Sequence, residues 1–567
     1  MKTVKYILYI YIISIGFTSC NFLDKEPTYL SPETYFKNES QAFSFLTGIY
    51  AILQQTPYYG NSWLYLVGGD DLSHYGGPRG PGKSGLICNN ANAGNVEVAT
   101  QWYNLYAGIN RSNMFIESID KTPGMSDEVR ECYKSEARFL RAYYYYILVS
   151  GWGDVPFKIQ STQTVENLSI PRTDKHVIYD FICTEIEQCA DALLSARELN
   201  YLPGRISKST AWGILARIYL FRAGEFNENN RDHVPVDQEK VQLYFKKANE
   251  FAKKVKFEGH DLVEDYWQIF IDLAQDKYNS TGKMESIWEV EFGGNGTGAI
   301  RTSGRTGNNI GLIGPDLSGS TFTGKQNPGY SYGFIYATPK LYKLYEKNGD
   351  TERMDWNIAP FQYKSSKDKG VYGREFEYGK KGTLKYPCYE YGENDIEKTE
   401  EESAKDLGRN CAKYRREYEP EDKGRNETRI NIPMLRYSDV LLMIAETENE
   451  LNSEPTQEAY ECINRVRERA GIAELSDLTK EEFRQAVKDE RAMELCFEFY
   501  RKFDLIRWGE FIENMHEMAE LALSGEEWAQ GPKIYSYFEI PSSYNYFPIP
   551  TTEMAVNKEI TKNNPGW

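Results

Sequence analysis

Cys20 has the setting of a lipid attachment site. It follows the small residues Thr18 and Ser19 and a positively started apolar run, Lys2 to Phe17. About 12 apolar residues are too few for a membrane-spanning helix, which needs ~20. Cleavage before Cys20 would free its thiol for a thioether-linked diacylglycerol and its amine for a further acyl chain, and two chains anchor firmly. We predict a lipoprotein signal at 1–19. An ordinary secretory signal with a chance cysteine is the alternative, because Phe17 stands where leucine is usual.

Two glycine-rich segments match catalytic patterns. Residues 77–84, Gly-Pro-Arg-Gly-Pro-Gly-Lys-Ser, fit the phosphate-binding P-loop, but its buried strand and helix are missing and two prolines remove amide donors. Gly329–Gly333 fits the nucleophile elbow of an esterase around Ser331. Only His516 follows Ser331 in the order that the elbow needs. We interpret both segments as loops, the second one lined by glycine and aromatic residues.

Metal and acid-base chemistry have weaker signals. The five histidines form no zinc signature; they are His74, His176, His233, His260 and His516. With 83 Asp and Glu residues, some pair always lies at glycosidase distance, so the sequence neither shows nor excludes a two-carboxylate mechanism. Asp70-Asp71 is the one adjacent loop pair that stands out, and we predict turn or capping hydrogen bonds for it. No metal and no cofactor are predicted.

Charge and composition narrow the class of ligand. The net charge of -17 and the lack of a Lys/Arg tract argue against nucleic acid and against anionic lipid. A surplus of aromatic residues, with 43 tyrosines and 10 tryptophans, suits the recognition of sugars or peptides. The cysteines other than Cys20 have no close metal-ligand spacing. Export would permit disulfides, but most of these cysteines lie in apolar helical patterns, so we predict mainly free, buried thiols.

The elements that must position any site are mainly helices. Apolar residues at three- and four-residue spacing predict helices at 39–54 and roughly at 99–119, 126–150, 174–196, 207–224, 238–257, 338–347, 437–451, 456–470, 479–502 and 505–519. Thr479 with Glu482 predicts a capping box, Thr338-Pro339 a helix start, and Gly471 a helix stop. Stretches 55–98 and 280–436 break the pattern. We expect the ligand site in these loops.

One helix pair has the spacing of a tetratricopeptide unit. Trp212, Leu215, Ala216 and Tyr219 fit its first helix, and residues 248–255 could form the second. Each such pair leaves an apolar face that the next pair covers, which favours a right-handed stack. An unrelated helical bundle is the alternative.

Several longer segments carry a family resemblance. They are Glu136–Tyr146 with the Trp152-Gly-Asp turn, Arg205–Ala211, Pro433–Glu446, Ile463–Gly471, Glu490–Glu498 with Asp504-Leu-Ile-Arg-Trp-Gly509, and Tyr546-Phe-Pro-Ile-Pro550 with Asn564-Pro-Gly-Trp567. In this order, from Cys20 to Trp567, the chain closely resembles the SusD/RagB family of outer-membrane lipoproteins. The charged residues in two of these segments, Glu136, Arg138, Arg141, Glu490, Arg491 and Glu494, are predicted to pair between helices.

The resemblance implies a mainly α fold, a tetratricopeptide-like right-handed helical stack with an inserted loop-rich region and few short strands. The organisation would be a signal peptide at 1–19, a lipidated Cys20 with a flexible tether to 38, and one domain at 39–567. Its helical scaffold would cover about 39–260 and 437–567, with insertions at about 55–98 and 280–436. Such proteins sit lipid-anchored on the outer surface of the outer membrane, as a hinged lid over a TonB-dependent SusC-like barrel.

The resemblance also implies capture rather than catalysis. Such proteins bind oligosaccharides, or peptides in some branches, and deliver them unchanged; a surface glycoside hydrolase is a remote alternative. Sugars need aromatic faces and polar groups that pair with hydroxyls. The candidates in the loops are Trp63, His74, Tyr75, Arg79, Asn92, Tyr330, Tyr332 and Trp356, and each could instead pack its loop. Trp102 is predicted to lie in a helix core.

Overall fold

A computed structural model gives the fold. It describes residues 35–567 except 62, 68, 77–84, 163, 165–167, 294–303, 317–326, 364–371, 377–383, 391–406, 421–422, 526–527 and 529–530. The predicted signal, Cys20, Arg79 and the P-loop-like segment lie outside the described residues. Among the residues that are described, no helix has both the length and the apolar character that crossing a membrane requires.

Helices make up most of the described chain. They are α1 Glu39–Gln54, α2 Leu64–Val67, α3 Val96–Ser118, α4 Asp127–Trp152, α5 Lys175–Ala190, α6 Lys208–Gly224, α7 Gln238–Lys256, α8 Gln268–Gln275, α9 Thr306–Ile310, α10 Pro339–Asn348, α11 Thr351–Asn357, α12 Tyr437–Leu451, α13 Gln457–Arg469, α14 Lys480–Leu495, α15 Arg501–Trp508, α16 Phe511–Ser524, α17 Gly531–Phe538 and α18 Thr551–Val556.

The strands are short and pair antiparallel. They are β1 Ser73–Tyr75, β2 Val155–Pro156, β3 Arg172–Thr173, β4 Ser286–Val290, β5 Ile335–Ala337, β6 Phe361–Tyr363, β7 Tyr372–Phe376, β8 Leu384–Glu390 and β9 Ile432–Arg436. The pairs are β1 with β5, β2 with β3 and β4 with β9, while β8 lies between β6 and β7. Pairing of β4 with β9 closes the base of the second insertion, since Ser286 lies opposite Arg436.

Local signals in the sequence set many helix ends. The capping box of Thr479 and Glu482 is present at the start of α14, and α10 begins with Pro339 after Thr338. Gly471 follows α13 with a φ of 68°, in the left-handed region that glycine tolerates best. The N-cap hydrogen bond of Thr479 contributes about 1 kcal/mol to helix stability. These predicted starts and stops are confirmed.

Neighbouring helices pack in sequence order, as a helical stack requires. α1 and α4 pack on α3, and the contacts continue from α4 through α5 and α6 to α7, which meets α12. In the tetratricopeptide-like pair α6 and α7, Tyr219 stacks on Phe251 with ring centroids 6.1 Å apart. Fully buried Ala216, Ala248 and Ala252 contribute small side chains to these helices. The two halves of the scaffold thus join through α7 and α12, and the mainly helical fold is confirmed.

The helix predicted over 479–502 ends early, at Leu495. Phe497 and Phe499 adopt φ values of 62° and 70°, which a continuous helix excludes. The buried ammonium of Lys413 donates to the carbonyl oxygens of Glu494 at 2.9 Å and Cys496 at 2.8 Å. This cation therefore satisfies helix-end carbonyls from outside the helix. The predicted helix over 505–519 is likewise replaced by α15 and α16, which meet at Gly509.

Charged side chains tie the helices together in the interior. Glu494 accepts from Arg353 at 3.0 Å, from Arg436 at 2.9 Å and from Arg469 at 2.5 Å. Although burial opposes ionisation, these three guanidinium groups hold the pKa of Glu494 well below its usual range. Removing one partner of such a network leaves an uncompensated buried charge.

Most of the other predicted interhelical pairs also form. Glu490 pairs with Arg353 at 2.6 Å and with Arg467 at 2.9 Å. The partners of the remaining predicted residues are Arg205 for Glu136, Glu185 for Arg138 and Arg141, and Asp439 with Asp504 for Arg491. Five of the six residues therefore pair between helices as predicted, whereas the partner of Glu136, Arg205, lies in the loop before α6.

Two further predictions concern buried side chains and the end of the N-terminal tether. The cysteines whose side chains are described form no disulfide and are buried: Cys88, Cys132, Cys183, Cys189, Cys411, Cys462 and Cys496. Trp102 is buried and packs at 5.7 Å on Trp152. Phe36 is also buried, against Phe45 and Phe115. Since Phe36 already belongs to the core, a free tether must end before it rather than at residue 38.

Candidate functional site

The two predicted loop regions meet in one place. β1 from the first insertion pairs with β5 from the second, with His74 opposite Tyr336 and Tyr75 opposite Ile335. Beyond this pair, the amide of Gly76 donates to the carbonyl of Phe334 at 2.9 Å. A Cβ at residue 76 would lie 2.7 Å from the Tyr336 ring, so the close approach requires glycine.

Aromatic rings lead from this strand pair to the surface. Tyr332 is 37% exposed and stacks on Phe334 with centroids 4.7 Å apart and planes 18° apart. Tyr330 meets Tyr332 edge to face at 4.8 Å. The guanidinium of Arg425 lies 4.9 Å from the Tyr330 ring centroid and pairs with Asp316 at 2.6 Å. We call these five residues the Tyr332 surface.

Backbone hydrogen bonds hold the segment that carries the rings. The amides of Tyr332 and Phe334 donate to the carbonyls of Asn308 and Asn309 at 2.8 and 2.7 Å. Between them, Gly333 has a φ of 56°, and a Cβ there would lie 2.2 Å from a carbon of Ile313. The ring positions are therefore set by fixed backbone rather than by a loose loop, which reduces the entropy that ligand binding would cost.

Both charges on the Tyr332 surface are at least partly exposed. The hydrogen bond to Asp316 raises the pKa of Arg425, so its guanidinium stays charged. Partial burial and then the neighbouring Tyr332 hydroxyl raise the pKa of Tyr330, which remains a neutral phenol. The site thus combines ring faces with one cation, one carboxylate and phenol hydroxyls, groups that can pair with the hydroxyls of a sugar.

Four of the predicted ligand contacts are buried instead. Trp63 is 3% exposed and stacks on Phe503 at 6.0 Å, and Trp356 is fully buried with its Nε1 donating to the Lys413 carbonyl at 3.2 Å. Tyr75 and His74, at 1% and 6% exposure, are covered by the strand pair and its neighbours. Because so little of each side chain is exposed, the prediction of ligand contact is corrected to core packing for all four.

His74 has a special electrostatic setting inside that packing. Its ring stacks on Tyr336 at 5.6 Å and contacts Trp528 at 5.3 Å. Burial lowers the pKa of His74 to about 4, so the imidazole is neutral at ordinary pH. The histidine supports the base of the Tyr332 surface without carrying charge.

The remaining candidates are placed as follows. Tyr330 and Tyr332 come together on the Tyr332 surface, while Asn92 is exposed on a separate turn, where its Oδ1 accepts from the Gly94 amide at 2.8 Å. Their roles as ligand contacts stay predictions. Arg79 follows β1 along the chain but lies outside the described residues. Phe334, Arg425 and Asp316 were missed, although the alternating aromatic run from Tyr330 to Tyr336 is typical of a strand.

The catalytic-looking motifs have structural roles where they are described. Ser331 is buried, and its hydroxyl donates to the carbonyls of Asn308 at 3.1 Å and Gly311 at 3.0 Å, so it is no exposed nucleophile. Asp70 accepts from the Leu72 amide at 2.9 Å, which is the predicted turn bond. Asp71 pairs with Arg501 at 2.7 Å.

The pKa values of these two aspartates are shifted in opposite directions. Burial, and then the charge of Asp71, raises the pKa of Asp70 to about 7. Although burial opposes it, Arg501 and Lys340 hold the pKa of Asp71 well below its usual range. Within the described ranges, no group of three or more His, Cys, Asp or Glu residues could hold a metal ion.

Fold and sequence together define the class, a tetratricopeptide-like helical stack with inserted loops. Residues 284–567 match the SusD family, and residues 21–220 match a family described as "Starch-binding associating with outer membrane". The chain belongs to the SusD family. Its fold class, mainly helical with few short strands, is the one expected from that resemblance.

Individual relatives agree in length and fold. A SusD-like protein of Formosa agariphila is 26% identical over 533 residues, which covers 91% of this chain and 92% of the relative. The structure of a SusD homologue from Bacteroides thetaiotaomicron is similar with a TM-score of 0.79 at 24% identity, over 96% of this chain and 100% of that one. A structure described as a laminarin-binding SusD-like protein has a TM-score of 0.64 at 19% identity, over 94% and 100% of the two chains.

Proposed function

We propose that this protein is a cell-surface glycan-binding lipoprotein. It captures oligosaccharides and delivers them unchanged to a TonB-dependent SusC-like transporter in the outer membrane. The observation that carries the proposal is the Tyr332 surface, an exposed aromatic platform with a guanidinium and a carboxylate beside it. Family membership supports it, because one matching family is described as starch-binding and one similar structure as a laminarin-binding SusD-like protein.

The physical basis is the two-sided character of a sugar ring. Its apolar face packs on an aromatic ring, while its hydroxyls need donors and acceptors at the edge. Tyr332, supported from behind by Phe334, would provide the ring face, and Arg425 with Asp316 would provide the polar partners. Loops on a rigid helical scaffold are a common location for such groups.

We assign capture rather than catalysis, and the packing of the candidate reactive groups supports this role. Ser331 is buried in backbone hydrogen bonds, and Asp71 is held in ion pairs. The proposal therefore assigns no catalytic residue.

Anchoring is the second part of the proposal. A lipidated Cys20 would hold the domain to the outer membrane, facing the cell exterior. The residues between Cys20 and the buried Phe36 would span at most ~50 Å when extended. That reach keeps the domain close to a transporter in the same membrane and so raises its effective concentration there.

Incubation of the purified protein with polysaccharides tests the proposal. We expect retention of at least one glycan without new reducing ends. Release of sugar would instead indicate a glycoside hydrolase. Binding of mixed peptides, with no retention across a full glycan panel, would indicate peptide capture.

A further inference from the structure

The helical scaffold contains a cleft that shares no residue with the Tyr332 surface. Its volume is about 480 Å³, and it lies among α7, α12, α14 and the corner between α15 and α16. Small-molecule sites typically measure about 300–1,000 Å³. We name it the Trp508 cleft after the indole that lines it.

Two aromatic side chains form walls of the Trp508 cleft. Phe245 on α7 and Trp508 at the end of α15 both line it and are both half-buried. The indole Nε1 donates to Glu446 at 3.0 Å, which fixes the ring.

The corner next to this indole is fixed by close packing. A Cβ at Gly509 would lie 2.1 Å from the Asn229 carbonyl oxygen, and its φ is 73°. Only glycine fits such an approach without a backbone shift. This wall of the cleft is therefore formed before any ligand arrives.

Several of the charged side chains that line the cleft are paired with one another. Arg484 makes two hydrogen bonds to Glu450, at 2.6 and 2.7 Å, and Lys488 pairs with Glu510. A charged ligand would have to break such pairs. A neutral ligand would leave these pairs intact.

Uncharged amides are what the cleft offers to a ligand. Gln238 and Gln242 on α7 line it and are exposed, and their side-chain amides make no hydrogen bond within the described part of the chain. Each amide supplies both donors and an acceptor. Amides beside half-buried aromatic rings match a molecule that has many hydroxyls and an apolar ring face.

We propose that the Trp508 cleft is a second binding site for a neutral oligosaccharide. The inference rests on the proposed function, because it assigns the same class of ligand to this cleft. The protein would then hold glycan at two places, one built by the inserted loops and one by the helical scaffold.

Calorimetric titration of the full-length protein in detergent tests the inference, with short neutral laminari- and malto-oligosaccharides as probes. We expect two molecules of a binding probe per protein. Gln242→Arg places a charge in the cleft and should reduce the number to one. Leu243→Arg adds the same charge at a 50% exposed neighbour outside the cleft and should leave two.

The loop site is separated by a second variant. Tyr332→Ala should leave one molecule bound, and the double variant with Gln242→Arg should leave none. One molecule in the unaltered protein, unchanged by Gln242→Arg, would overturn the inference while the proposed function stands. No binding of any glycan would overturn both the inference and the proposed function. Binding of a peptide that is lost in Gln242→Arg would show that the cleft takes another class of ligand.

Discussion

At the residue scale, burial separates side chains that look alike in the sequence. Trp63 and Tyr332 both lie in segments rich in glycine and aromatic residues, yet Trp63 is 3% exposed and Tyr332 is 37% exposed. One of the rings that cover Trp63 is Phe503, which lies more than 400 residues further along the chain. A contact of that separation leaves no local pattern, so the sequence could name the loops but could not say which of their rings face the solvent.

His74 gives a prediction about pH. The pKa of His74 is about 4 in the folded protein and near 6.5 in the unfolded chain, so the unfolded chain binds more protons between these values. Stability from keeping the imidazole neutral is therefore present above pH 6.5 and lost as the pH falls towards 4. In His74→Phe this loss is absent, and the stability gap between the two proteins should shift by about 3 kcal/mol across the interval.

The measurement for His74 is chemical unfolding of both proteins at several pH values from 4 to 7. The free energy of unfolding of the unaltered protein should fall more steeply towards acid than that of His74→Phe. Parallel pH profiles would show that the imidazole is accessible to protons in the folded state.

At the scale of elements, the helices were predictable and their interruptions were not. The apolar period and the capping residues gave α1, α12 and α14 starts that match the structure. The end of α14 depends on Lys413, whose ammonium reaches the helix-end carbonyls from the second insertion. The β1–β5 pair likewise joins segments that lie more than 250 residues apart. Both features depend on contacts between residues that lie far apart in the sequence, and the periodicity of apolar residues does not indicate such contacts.

The buried charge network predicts a large cost for removing one cation. Arg353 is fully buried and pairs with Asp350, Glu490 and Glu494. Arg353→Met leaves these carboxylates short of a partner in the interior and should lower the free energy of unfolding by about 3–5 kcal/mol.

An exposed pair provides the control for Arg353. Lys134 and Asp120 lie 2.8 Å apart with side chains 24% and 58% exposed. Lys134→Met should cost less than about 1 kcal/mol. Similar losses in the two variants, measured by denaturant unfolding, would contradict the structural role assigned to the network.

At the scale of the whole molecule, the proposed function combines an anchor, a scaffold and a binding surface. The helical stack is continuous through α7 and α12, so the loops between them are held on one body of packed helices. In the proposed function the lipid at Cys20 would act only on location, and the core of the described chain includes residues from Phe36 onwards.

Replacement of the anchor residue tests that separation. Cys20→Ala should abolish retention at the cell surface, measured by fractionation and surface labelling, and should leave glycan affinity unchanged. A loss of affinity in the purified variant would mean that the N-terminal region takes part in binding.

The most direct test of the central claim is the affinity for glycan at the Tyr332 surface. Tyr332→Ala removes the exposed ring, and Tyr103→Ala removes a ring of similar exposure, 44%, from helix α3. In calorimetry with laminari- or malto-oligosaccharide, Tyr332→Ala should weaken binding at the loop site by about tenfold or more, equivalent to ~1.4 kcal/mol, because ring burial is lost. Tyr103→Ala should bind as the unaltered protein does. Equal affinity in Tyr332→Ala and the unaltered protein would contradict the claim that this surface captures the glycan.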